Sequence, residues 1–167
     1  MTGRALLVGV ALALASSSSA RADGCPASTV DVADWAVVRS ARVPGFTLRL
    51  PRSFTRDTTA SSRELQSSAR WRDAARGRFA MSHLGATATT PAPLPNVDGA
   101  TATRCDTSIG AATATIVSYA DGPSAYVVHA QIRWPDGEAV EVHANAVGRA
   151  HVELLIAAVR TIRRAGA

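Results

Sequence analysis

Lysine is absent from this chain, and all eighteen basic residues are arginine. We read that bias as a reflection of genome composition and give it no mechanistic weight. Cysteine is scarce: Cys25 and Cys105 are the only two, and they form no C-x-x-C pair. Thioredoxin-type exchange and a structural zinc knot therefore both lack their ligands. Aromatics make up 5% of the residues, and no nucleic-acid-binding motif is present, so nucleic acid is not an expected partner. A G-x-S-x-G elbow, a Gly-rich phosphate loop and H-E-x-x-H are all missing. Their absence lowers the case for hydrolysis without excluding a triad assembled by geometry. Beyond the N-terminal region, no apolar run is long enough to span a bilayer.

That N-terminal region is the strongest signal present. Arg4, the apolar run from Ala5 to Ala15 and the small residues from Ser16 to Ala22 read as a cleavable export signal. Ala20-Arg21-Ala22 supplies small residues at the −3 and −1 positions, so cleavage is expected after Ala22, with Ala20 as the alternative. A lipid anchor at Cys25 is rejected, because Ala22-Asp23-Gly24 is a poor lipobox. Residues 1–22 are thus the expected signal peptide, and residues 23–167 a single exported domain, periplasmic or extracellular, of ordinary domain size. An oxidising exterior allows Cys25 and Cys105 to pair as a disulfide, with two unpaired thiols as the alternative.

Period-2 alternation predicts strands over Phe46 to Leu50 and Arg78 to Leu84, the second in a hairpin with the Trp71 region. Trp35 to Arg39 suits a short strand or a helical turn, and Ser61 to Ala75 is ambiguous. The proline-rich stretch from Ala86 to Thr103 reads as an irregular connection. Ala112 to Tyr119, Ala125 to Trp134 and Glu138 to Ala144, separated by Asp121-Gly122-Pro123 and Pro135-Asp136-Gly137, form an antiparallel meander. The period then changes: Val152, Leu155, Ile156, Val159 and Ile162 make one stripe of an amphipathic helix. Ile156→Asp is expected to unfold the domain. The fold class is α+β, an antiparallel sheet of about five to six strands with the C-terminal helix packed across it.

The early Gly-Phe-Thr-Leu-Arg-Leu-Pro-Arg-Ser-Phe segment, the late Pro-Asp-Gly hairpin and the terminal Glu-Leu-Leu-Ile-Ala-Ala-Val-Arg-Thr-Ile-Arg helix together resemble secreted bacterial PsbP-like domains. That resemblance covers most of residues 23–167 and rests on pattern rather than on an invariant motif. It implies an α/β/α sandwich and a noncatalytic binding or accessory role, and it carries over no site residue.

Two constellations could bear chemistry. If Pro135-Asp136-Gly137 closes a three-residue loop with Gly137 left-handed, His129 faces His143 across the hairpin. Two such imidazoles are close enough to share Zn²⁺ or Cu²⁺, with Glu141 as a neighbour, although a third ligand is not evident. Mutual pKa depression is the other expectation. Neither His83 nor His151 has a sequence-local partner. The second constellation is charge: residues 39–78 hold ten arginines against Asp57, Glu64 and Asp73, while the flanking segments are acidic. Arg70, Arg72, Arg76 and Arg78 are the candidate anion-binding residues. Such a segment is ordinarily a solvated face; alternatively it serves a lipid head group, a polysaccharide or extracellular nucleic acid. The expected function is a noncatalytic envelope binding or accessory domain for an envelope protein or anionic ligand, without a cofactor. The alternatives are a metal-dependent or hydrolytic envelope enzyme centred on His129 and His143, and an anion-binding module.

Overall fold

A computed structural model describes residue 25 and residues 27–59, 68–85 and 102–165. The expected signal peptide, its cleavage site, most of the Pro-rich connection and residues 61–67 of the ambiguous segment lie outside the described residues.

Among the described residues, ten strands and one helix follow in chain order: β1 (Ala36–Arg39), β2 (Phe46–Leu50), β3 (Thr55–Arg56), β4 (Ser68–Asp73), β5 (Gly77–His83), β6 (Thr103–Ile109), β7 (Ala112–Ala120), β8 (Ala125–Arg133), β9 (Ala139–Val147), α1 (Ala150–Arg160) and β10 (Arg163–Arg164). Seven strands form one sheet in the order β3-β4-β5-β9-β8-β7-β6, and β1-β2-β10 form a second. Every pairing is antiparallel. The α+β class and the helix across an antiparallel sheet are as expected, whereas the strand count exceeds the five to six anticipated. The additional strands are β3 and β10, two residues each, and β6, whose alternation is carried by Thr, Ser and Cys rather than by large apolar side chains. None has a hydrophobic period strong enough to read.

Alternation divides the large sheet into two faces. Ala69, Trp71, Phe79, Met81, Val128, Ala130, Val140 and Val142 point to one side and are buried in a single core with Phe46, Leu48 and Leu50 of the small sheet. Helix α1 packs on β8, β9 and β2, completing that layer. Thr161 joins helix and small sheet: its Oγ1 accepts from Arg49 N at 2.7 Å and donates to the Ala158 carbonyl at 2.7 Å. Among the described residues no helix lies on the opposite face.

The helix stripe needs one correction. Leu155, Ala158 and Val159 are fully buried, but Ile156 is only half-buried at its flank, and Ile162 is buried in the link to β10 beyond the helix end. Leu155 is therefore the centre of the stripe. The basic ending acts as expected at a helix C-terminus: Arg163 Nη1 donates to the carbonyls of Arg160 and Ile162 at 2.7 and 2.8 Å.

Cys25 and Cys105 are disulfide-bonded, with Cα atoms 4.8 Å apart. The bond ties the segment ahead of β1 to β6 at the edge of the large sheet, next to a backbone hydrogen bond from Cys25 N to the Asp106 carbonyl.

Candidate functional site

The β8–β9 hairpin closes as its turn residues dictate. Gly137 takes φ +91°, its N–H donates to the Trp134 carbonyl at 3.0 Å, and Trp134 N donates to the Glu138 carbonyl at 2.9 Å. Only glycine reaches that φ without strain. The register that follows pairs His129 with His143. Their ring centroids are 4.4 Å apart at an interplanar angle of 79°, and His129 also lies parallel to Tyr119 at 6.1 Å. Lost hydration against the sheet lowers both histidine pKa values. Repulsion from His143 adds to this at His129; at His143, Glu141 and an Asn145 hydrogen bond work against it and Arg70 with it. Among the described residues no group of three His, Cys, Asp or Glu side chains is placed to hold a metal.

The same polar face carries the arginines. Pairing of β4 with β5 sets Arg72 directly opposite Arg78 and Arg70 opposite Ala80, and pairing of β5 with β9 continues these rows to Asn145 and His143. Two guanidinium groups on directly opposed positions repel each other unless an anion lies between them. Asp57, beside Arg70 through a backbone hydrogen bond of 2.9 Å, is the nearby carboxylate. Hydrogen bonds from Thr59 hold its pKa below the usual carboxylate range, and Arg72 and Arg78 add to that effect. Three of the four candidate arginines thus meet on one face.

Arg76 does not join them. It lies in the β4–β5 turn, where Nη1 pairs with Asp73 Oδ2 at 2.7 Å and donates to Ser53 Oγ at 2.9 Å. Burial pushes the Asp73 carboxyl up, but hydrogen bonds from Ser53, Arg76 and the Ala75 amide outweigh it and bring the pKa to about 2.

Two cavities flank the Arg72–Arg78–Asn145 row. One of about 510 Å³ is lined by Thr59, Ser68, Arg70, Ser82 and His143. The other, about 800 Å³, is lined by Ser53, Thr55, Arg72 and Ser124. Arg78 and Asn145 belong to both.

No family model matches the sequence, and no curated protein matches it. A solved structure does match in fold. It is that of the Saccharomyces cerevisiae Ran-binding protein Mog1p, with a TM-score of 0.50 and 11% identity, covering 78% of this chain and 95% of that one. At that identity the likeness is one of architecture.

Sequence reasoning missed Asp57, Thr59 and Asn145 as wall residues. Asn145 shares the alternation of His143 and could have been added from it; Asp57 could not, because the β3–β4 pairing that brings it there has no sequence signal. It also missed that His83 Nε2 pairs with Glu138 Oε2, with the His83 ring 5.2 Å from Phe46. His151 Nδ1 bonds the Val147 carbonyl in the first turn of α1.

Proposed function

We propose that this protein is an exported, noncatalytic accessory domain of the PsbP-like kind that binds an anionic ligand on the polar face of its large sheet. The observation that carries the reading is the opposition of Arg72 and Arg78 with Arg70 one step along the same face. Arginine suits this task because its planar fork meets carboxylate, sulfate or phosphate oxygens in pairs. Asp57 offsets one of the three charges and leaves the group positive. Export is supported by the Arg4 to Ala22 pattern and by the Cys25–Cys105 bond, which persists in an oxidising compartment.

The test uses the protein beginning at Asp23, with heparin as a polyanionic probe. Binding is expected at low ionic strength, with the logarithm of affinity falling linearly in the logarithm of salt concentration. An Arg70→Gln/Arg72→Gln/Arg78→Gln variant should lose it, while Arg76→Gln should retain it. Equal binding by the triple variant, or no binding at low salt, would overturn the reading.

The 4.4 Å approach of His129 and His143 favours one second reading, a metal-dependent site on the same face. Stoichiometric Zn²⁺ bound by the wild type and lost in His143→Ala would support it; equal Zn²⁺ uptake by both, or none by either, would remove it.

A further inference from the structure

The two cavities beside the arginine row are more than a single oxyanion needs. Their volumes, about 510 and 800 Å³, lie in the range of roughly 300–1,000 Å³ that encloses a multi-ring organic molecule. They are also contiguous, since Arg78 and Asn145 form a wall of each. Arg70 lines only the smaller and Arg72 only the larger, so each cavity has its own guanidinium in addition to the shared one.

The remaining lining is mixed: beside alanine and valine side chains, Asp73 in the larger cavity and Asp57 in the smaller each add a carboxylate, the first paired with Arg76 and the second bonded by Thr59. Hydroxyls line both sides: Ser53, Thr55, Thr59 and Ser68 bond Arg76, the Arg72 carbonyl, Asp57 and Arg70 within the protein, and Ser124 on one side and Ser82 on the other face the cavities. A hydroxyl both donates and accepts, which matches a ligand that is itself covered with hydroxyls. Broad stacking surfaces are lacking among the described residues: Trp71, in the smaller cavity's wall, is 4% exposed, Phe79 is fully buried, and the one further ring lining either cavity is the His143 imidazole. A single-stranded nucleic acid would need such surfaces.

Resting on the anion-binding reading above, we infer that the ligand is a linear acidic polysaccharide, with successive carboxylate-bearing sugars seated in the two cavities on either side of the Arg72–Arg78–Asn145 row. Arg78 meets the charge at the junction, Arg70 and Arg72 meet those to each side, and the Ser82 and Ser124 hydroxyls take sugar hydroxyls. Two linked attachment points raise affinity well beyond either alone, up to the length that fills both cavities.

The experiment is calorimetric titration of the protein beginning at Asp23 with galacturonate and with linear oligogalacturonates of increasing length, at fixed low salt. Affinity should rise at least about tenfold from the monomer to the length that spans both cavities and then level off. Arg78→Gln should weaken every length, whereas Arg70→Gln and Arg72→Gln should each abolish the gain with length. Thermal melting of each variant checks that it is folded. Equal affinity for monomer and oligomers would overturn the extended ligand while leaving anion binding intact. Tighter binding of single-stranded DNA than of an oligogalacturonate with the same number of charges would overturn the polysaccharide. Absence of binding by any of these anions and by heparin would instead overturn the anion-binding reading on which the inference rests.

Discussion

At the scale of single residues, the histidines and aspartates near the polar face all have pKa values shifted downward from their ordinary values. His129 and His143 have pKa values below the usual 6.5, so the unfolded chain takes up protons before the folded one does. Stability from this source is complete above about pH 6.5 and declines as the pH falls through that value toward the folded pKa. The urea midpoint should therefore drop between about pH 7 and 5, and His129→Gln should flatten that slope. Asp57 and Asp73 behave oppositely in charge but alike in direction: both are held below 3.8, so their stabilisation is present above about pH 4 and lost on acidification, through about pH 2 for Asp73. Gly77 is the backbone counterpart. It has φ +135°, and a Cβ there would meet the Asn145 carbonyl oxygen at 1.8 Å. Gly77→Ala should cost more than about 1 kcal/mol in denaturant titration, because it combines a forbidden conformation with a clash against β9. The Asn145 carbonyl that Gly77 must clear belongs to β9, and nothing local in the sequence marks it.

At the scale of elements, local signals were reliable where the turn chemistry was local. Pro135-Asp136-Gly137 determined the β8–β9 register, and with it the meeting of His129 and His143, because a hairpin with a short loop leaves one pairing that sorts apolar from polar residues. The terminal helix was equally readable from its period, although its centre is Leu155 rather than Ile156. Leu155→Ala should lose about 2–5 kcal/mol, and Ile156→Ala less, both read from denaturant midpoints. What could not be read at this scale is the pairing of β5 with β9, which joins Arg78 to Asn145 and Ala80 to His143 across more than sixty residues. No turn residue specifies a pairing of that separation; burial of Phe79 and Met81 beside Val142 and Ala144 does.

At the scale of the whole molecule, the disulfide closes a loop with a sequence separation of 80. Cross-linking such a loop restricts the unfolded chain, and its reduction should lower stability by about 4–5 kcal/mol in the chain-entropy description. Melting with and without reductant, beside a Cys25→Ser/Cys105→Ser variant, measures this. By itself the sequence determined the α+β class, the meander with its closing helix, the opposed histidines and the excess of arginine between residues 39 and 78. Each of these depends on neighbours in the chain: a period, a turn or a local charge count. Only the tertiary structure decided that Arg70, Arg72 and Arg78 share one face with His143 and Asn145 while Arg76 is held by Asp73 in the turn. That selection depends on strand order in the large sheet, and strand order is set by which apolar faces can be buried together, a property of the assembled core rather than of any segment.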